Sequence, residues 1–463
     1  MATDDLHVVV LAAGKGTRMR SALPKVLHRA AGLPLVEWVV RLARSLEPSS
    51  ITLVLGHGAG EVRGWFEGAD DVRFVEQEPQ LGTGHALLQA RPALEGRSGR
   101  VLLLSGDVPL LTKPSVERLL DTQRAREAAV VVATARFADP TGYGRIVRED
   151  GALIRIVEHR DASPAERVIN EINSGVYVFA LQSLFDRLSR LGSGNAQGEY
   201  YLPDLIDVCR RAGLVVYAET VDPQEIQGIN TRIELAEVGR QLQLRTNQAL
   251  MAGGVTLVDP NTAYIGPDVT IGQDSIIHPC VFLDGKTSLG GNCEIHGGVR
   301  LVDSVLGDDV AIYNHSVIVE STIAAGSHIG PFARLRPLSN LGERVHIGNF
   351  VEVKKSDVGQ DTKIGHLSYI GDASLGAGVN IGAGTITCNY DGANKHHTVI
   401  GDGAFVGSDS TLVAPVRVGA QAYVAAGSAI THDVPDGALA IARGRQTNKT
   451  GWVAGRVAKR QSR

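Results

Sequence analysis

The sequence predicts an α/β domain of Rossmann-like type followed by a left-handed parallel β-helix, and three observations carry the prediction. Short apolar runs at 8–12, 51–55, 101–104 and 130–133 alternate with helix-like stretches through the first half, which is the grammar of strands and helices in turn. From Ile265 onward an aliphatic residue returns every six positions, a beat that neither a strand of period two nor a helix of period 3.6 produces. The chain also holds 54 glycines but only 9 phenylalanines, 10 tyrosines and 3 tryptophans, as expected of many tight turns around an interior too narrow for rings.

A chain of 463 residues can bury the cores of two or three domains. Its 46 basic and 50 acidic side chains leave a net charge of -4, so no polyanion-binding surface is expected and nucleic acid is excluded as a partner. Cys209, Cys280, Cys293 and Cys388 show no C-x-x-C spacing, which fits neither a zinc knuckle nor a disulfide framework and points to a reducing cytoplasm. The apolar run 7–13, behind Asp4 and Asp5, is too short for a signal segment or a membrane span.

Taken in order, the first strand runs into Leu11-Ala12-Ala13-Gly14-Lys15-Gly16-Thr17-Arg18-Met19 and then a helix, a place where backbone N–H groups can hold phosphate. A dinucleotide fingerprint and a Walker A loop both require glycine at position 19, and Met19 excludes them. The run 101–104 leads through Ser105-Gly106 to Asp107 at the carboxyl edge of the sheet, where α/β folds bind ligands. Farther on, Ile233, Leu235, Val238 and Leu242 lie among polar residues and the stretch ends at Gly253-Gly254, which predicts a connecting helix with a glycine stop. The expected organisation is therefore 1–230, a linker helix at 231–253, and 254–463 with a basic tail after Arg443 that lies on the surface or on a neighbouring subunit.

In the last segment a six-residue beat calls for coils of three short parallel strands, each turning one aliphatic inward, with Gly, Asn, Asp or Pro at the corners. Slips to five residues occur, as from Leu301 to Leu306. The beat breaks once, between Ile381 and Ile400, so 385–398 is expected to leave the solenoid as a loop, and long excursions from rigid scaffolds often carry function.

The glycine-rich string, closing with Pro24-Lys25, resembles the sugar-phosphate nucleotidylyltransferases. Glu76-Gln77-Glu78-Pro79, Leu81-Gly82-Thr83-Gly84, Tyr143-Gly144-Arg145, Glu158-His159, Asn173-Ser174-Gly175 and Asn230 follow in the order found in N-acetylglucosamine-1-phosphate uridylyltransferases. This resemblance implies attack of a sugar-1-phosphate on the α-phosphorus of UTP, with Arg18 and Lys25 as catalytic cations. It further implies that Asp107 and Asn230 hold a divalent ion, Mg²⁺. Leu11, Ala12, Ala13, Gly14, Lys25 and Ser105 would line the nucleotide site, Gln77, Gly82 and Thr83 would face the uracil, and Gly144, Glu158 and Asn173 the sugar. Ser105 stands where relatives often have Tyr.

Nine histidines fall in the repeat region, and acetyl transfer to an amine needs a base of that kind. Lys363-Ile-Gly365-His366, Asn380-Ile-Gly-Ala383 and Cys388-Asn389-Tyr390-Asp391 are similar to the acetyltransferase half of the bifunctional enzymes of that family. The resemblance implies that His366 is the general base and that Arg336, Lys354, Tyr369 and Asn380 bind glucosamine-1-phosphate. Asn389 and Tyr390 then contact either this acceptor or acetyl-CoA, Glu352 orients the base or the polar network around it, and Ala383, Ser408, Ala426 and Arg443 hold acetyl-CoA. His396 and His397 are adjacent and point two ways, so a zinc site there is rejected. The implied activity is acetylation of glucosamine-1-phosphate by acetyl-CoA, followed by joining of N-acetylglucosamine-1-phosphate to UTP, in a homotrimer without membrane partners. The rival reading keeps only the nucleotidyl transfer and makes the solenoid an oligomerisation or regulatory scaffold. A bare scaffold has no use for Arg336, Lys354, His366 and the Asn389-Tyr390 loop together.

Overall fold

The structure is a computed structural model that describes residues 5–461, with side chains placed to residue 457. Asp4 and the last two residues of the basic tail lie outside the described residues. Two compact units, 1–243 and 244–463, divide within the helix Arg232–Ala252.

In the first unit the apolar runs become strands of one sheet. Its path places Val216–Thr220, Val130–Arg136, Glu171–Ala180, Arg100–Ser105, Leu6–Ala12, Ser50–Leu55 and Val72–Glu76 side by side. Val8, Val9, Val10, Leu53, Val101, Leu102 and Leu103 are fully buried, because helices cover both faces and alternate residues have nowhere polar to point. The path is parallel except for Glu171–Ala180, which runs antiparallel and shifts register between Asn173 and Tyr177. Gly175, with φ +80°, takes up that irregularity, a conformation that disfavours a side chain. The strand order reverses between Leu6–Ala12 and Arg100–Ser105, so their carboxyl ends frame a crevice.

The second unit is the β-helix. Its strands stack into three parallel sheets of 11, 10 and 9 strands, and the aliphatics of the six-residue beat form one continuous core from Leu257 to Val434. Ile271 is the partial exception, half-covered at the first coil. The five-residue slips all fall at the corner between the second and third sheets. There Asp303, Glu320, Lys355 and Asp372 adopt φ of 44–48°, which turns the chain in one residue fewer. Ser304, Ser321 and Ser356 follow three of these tight corners, and each donates to a carbonyl two residues back at 2.8 Å, so the buried hydroxyls are satisfied. The break in the beat is a loop at 389–397 on this same edge, after which Leu375 stacks on Ile400 and the core resumes.

Coil contact is tightest at Gly348, where an added Cβ would sit 1.8 Å from the Gly365 carbonyl oxygen of the next coil. Backbone cannot retreat as a flexible side chain can. Gly348→Ala is therefore expected to destabilise the β-helix by about 3 kcal/mol. Scanning calorimetry should show a lower midpoint for its transition, with the transition of the first unit in place.

Candidate active sites

The nucleotide site is built where two parallel strands end together. Leu11 lies opposite Ser105, and the Gly106 N–H donates to the Leu11 carbonyl at 2.9 Å. Beyond this point the chain opens into a cleft of about 890 Å³ lined by Leu11, Ala12, Ala13, Gly14, Lys25, Gln77, Gly82, Thr83, Ser105 and Asp107. A smaller cavity of about 220 Å³ shares Leu11, Thr83 and Ser105 and adds Gly144, Glu158, Asn173 and Tyr177. Both groups of residues, scattered through the sequence, thus meet at one switch point of the sheet.

The cleft walls are pinned by short polar contacts. Gln77 donates to the Gly82 carbonyl at 2.9 Å and lies 3.2 Å from His85 Nδ1, while Gln80 donates to the Ala13 carbonyl at 2.5 Å and holds the glycine-rich loop. Gly82 has φ +98°, and a Cβ there would meet the Tyr200 carbonyl at 2.8 Å. In the smaller cavity Tyr177 donates to Asn173 Oδ1 at 2.9 Å, and the Asn173 N–H donates to the Gly144 carbonyl at 2.9 Å. A Cβ at Gly144 would sit 3.3 Å from Glu158 Oε1, so glycine leaves that carboxyl room to face the cavity. Burial, reinforced by Asp161, Asp204 and Glu199, raises the pKa of Glu158 above the usual carboxylate value.

Lys25, Asp107 and Asn230 come together although they stand far apart in sequence. The Lys25 ammonium is paired with Asp107 Oδ2 and donates to Asn230 Oδ1 at 3.2 Å. Asn230 reaches this place because the Asp107 carbonyl accepts the Ile229 N–H at 3.1 Å. Glu234 then accepts the Asn230 and Thr231 N–H groups, each at 2.7 Å, at the start of the connecting helix. Two oxygens from different loops thus converge on one cation position, and an all-oxygen donor set suits a hard divalent ion. Arg18 does not join them. It is exposed on the turn Thr17–Met19, close enough to Tyr143 of the smaller cavity for its charge to oppose the rise that burial gives the Tyr143 pKa, whereas Lys15 of the same loop lines the cleft.

In the second unit His366 lies two residues after the inward Ile364, at the corner between the first and second sheets. Asn349, Ala383, Ser408 and Ala426 hold the same place after Ile347, Ile381, Val406 and Val424. They form one column along the prism. Asn349 Oδ1 lies 2.5 Å from His366 Nδ1, so the ring donates through Nδ1 and leaves Nε2 as an acceptor. Beyond His366 the column carries only small side chains over three coils, about 14 Å at ~4.8 Å per coil, and it ends where Arg443 Nη1 donates to the Ala426 carbonyl at 2.7 Å.

The cationic groups expected to meet the acceptor occupy the second sheet. Arg336 and Lys354 follow the inward Leu335 and Val353, and Arg336 donates to Glu352 Oε1 at 3.0 Å. Glu352 therefore pairs with Arg336, and it is Asn349 that contacts the His366 ring. Asn389 donates to Asp372 at 2.6 Å and lies 3.4 Å from the Tyr369 hydroxyl, whereas Tyr390 is exposed and bonds within its own loop. The loop also brings Lys395 beside Lys354, and side-chain contact with that amine, together with its charge, lowers the Lys395 pKa. Asn380 stands apart from this group, on the first sheet between Lys363 and Phe405.

Four contributing residues escape sequence reasoning. Gln80 lies between two of the quoted motifs and His85 directly after the second, without a sign of their own. Lys395 was signalled only by the loop that carries it. Asn349 was legible in principle, since it stands two positions after an inward aliphatic, one coil before His366.

A nucleotide cleft on an α/β sheet and an imidazole at the head of a small-residue groove on a β-helix define a nucleotidyltransferase joined to a hexapeptide-repeat acyltransferase. Residues 8–203 match the MobA-like NTP transferase domain family, 277–359 the GMPPB C-terminal domain, and 397–432 the hexapeptide repeat of succinyl-transferase. The bifunctional protein GlmU of Geotalea uraniireducens is 51% identical over 97% of this chain and 99% of its own. Those of Trichlorobacter lovleyi and Brevibacillus brevis are 51% and 49% identical, covering 96% and 97% of this chain and 97% of each relative. The chain belongs to the bifunctional GlmU family. It is an enzyme with two activities, acetyl transfer from acetyl-CoA to glucosamine-1-phosphate and uridylyl transfer from UTP to N-acetylglucosamine-1-phosphate with release of pyrophosphate. The uridylyl half uses a divalent metal, and the scaffold-only reading of the β-helix falls away. Among the described residues no helix is long and apolar enough to cross a membrane.

Proposed function

We propose that the two reactions run on the two residue sets assembled above, and that the acetyl-transfer site is completed between subunits of a homotrimer. The observation that carries the acetyl half is the corner column, with His366 heading a groove of Ala383, Ser408 and Ala426 shaped for the pantetheine arm of acetyl-CoA. His366 Nε2 takes the proton of the attacking amine as the C–N bond forms and the thioester C–S bond breaks, and the thiolate leaves as free thiol once protonated. Arg336 and Lys354, with Lys395 alongside, neutralise the acceptor's phosphate.

In the uridylyl half the sugar phosphate oxygen attacks the α-phosphorus and the bond to pyrophosphate breaks. Gln77 and Gly82 hold the base, Glu158 and Asn173 the sugar, and Lys25 carries charge to the phosphates. Asp107 and Asn230 hold the divalent ion, Mg²⁺, which supplies neutralisation of triphosphate charge. Arg18 acts from the rim of the loop. Residues 231–253 link the two catalytic parts, and the free state of all four cysteines supports a cytoplasmic enzyme.

The trimer is supported by the division of the acetyl site between sheets. His366 and Asn380 belong to the first, Arg336, Lys354 and Tyr369 to the second. Co-expressed His366→Ala and Lys354→Ala chains, each inactive alone, are expected to regain roughly a quarter of the acetyl transfer if neighbouring copies share each site. No recovery would overturn the shared site.

A further inference from the structure

We propose that His278, Glu294 and His296 form a site for a divalent transition cation of the Zn²⁺ class, which clamps two successive coils of the β-helix. Glu294 and His296 flank the inward Ile295 and so project on the same outer face of one strand. His278 follows Ile277, which stacks directly on Ile295 from the preceding coil. The two imidazoles therefore lie parallel, 4.7 Å apart at 6°.

Three donor atoms converge between them. Glu294 Oε1 is 3.0 Å from His278 Nε2 and 3.4 Å from His296 Nε2, and all three atoms lie within 4.8 Å of one another. Ligands at 2.0–2.1 Å in a tetrahedral zinc shell stand about 3.3 Å apart, so small rotations of two rings bring the set to bonding geometry. His296 Nε2 is shut off from solvent, out of line for a hydrogen bond to the carboxylate, and has no hydrogen-bond partner within the protein. A buried nitrogen without a partner is costly, and a cation at this point would take up its lone pair. Tyr313 on the following coil packs against His296 with ring centres 5.1 Å apart and a 32° tilt, which limits the ring's movement. Two imidazoles with one carboxylate select borderline cations over Mg²⁺ or Ca²⁺, which prefer oxygen shells. None of these residues belongs to either catalytic set.

The full-length protein, stripped with chelator, is titrated with ZnCl₂ in millimolar Mg²⁺ by calorimetry. One zinc per chain is expected, with affinity at least 10-fold lower in His278→Gln and in His296→Gln. Thiol release by both variants should equal that of the parent, which reports their folding. Zinc should also raise the melting temperature of the β-helix in the parent and leave it unmoved in His296→Gln, since only a folded-state ligand stabilises. Should a variant fail to fold, the visible spectrum of the Co²⁺-loaded parent decides. Intense tetrahedral bands support the site, and weak bands typical of octahedral oxygen ligation overturn it, as would unchanged zinc affinity in both variants.

Discussion

In His366→Ala, thiol release from acetyl-CoA with glucosamine-1-phosphate is expected to fall about 10²–10⁴-fold, the usual worth of a positioned general base, while pyrophosphate release from UTP and N-acetylglucosamine-1-phosphate stays at the parent rate. The imidazole is exposed and held by one contact, Asn349 Oδ1 at 2.5 Å, so its removal opens no core cavity and the solenoid should melt as before. The loss then reports chemistry. Asn349→Ala tests the orientation separately. It leaves the base in place but frees the ring to rotate and to exchange tautomers, so a smaller loss in turnover is expected, with the affinity for acetyl-CoA retained. Unchanged thiol release in His366→Ala, or loss of both activities together, would remove the imidazole from the role assigned to it.

Much of this molecule is written in local pattern, and where pattern fails the cause is physical. The inward aliphatics of the β-helix could be named almost one by one, because a triangular interior admits a single side chain per face and leaves a beat of six. The slips to five had no visible cause in sequence. They come from backbone conformation at Asp303, Glu320, Lys355 and Asp372, residue types that visit the left-handed region without requiring it. The antiparallel strand Glu171–Ala180 is invisible for a related reason, since direction in a buried sheet is set by tertiary pairing and a buried strand reads the same both ways. In the cleft, the glycine-rich string led to the loop but gave no sign that Lys15 lines it. Arg18 and Lys15 are three residues apart, and the short helical turn at Thr17–Met19 sets Arg18 beside Tyr143 of the smaller cavity while Lys15 lines the cleft. Asn349 shows the opposite case. It lies on the register that reveals the core, yet only stacking of successive coils makes it a neighbour of His366.

Asp107→Ala is expected to reverse the pattern of His366→Ala, with pyrophosphate release falling about 10³-fold and thiol release unchanged. Among the described residues the carboxylate is one of two oxygens that meet the Lys25 ammonium, the other being Asn230 Oδ1 at 3.2 Å. Lys25 and Asp107 retain 13% and 20% of their side-chain exposure, so each is largely sheltered from water and neither charge is well screened. Removing the carboxylate leaves the ammonium with one neutral oxygen and the divalent-ion position with half its protein donors. Several kcal/mol of charge stabilisation at a phosphoryl centre rests on that position, and about 1.4 kcal/mol corresponds to tenfold in rate, which sets the expected loss. Asp107→Asn separates charge from shape. It keeps an oxygen in the same place, so the Ile229 N–H bond to the 107 carbonyl and the approach of Asn230 should survive, yet the uridylyl rate should still fall and the requirement for added Mg²⁺ should rise. If Asp107→Asn turned over at the parent rate at low Mg²⁺, the carboxylate would be no more than the ion-pair partner of Lys25, and the metal would have to be sought elsewhere in the cleft.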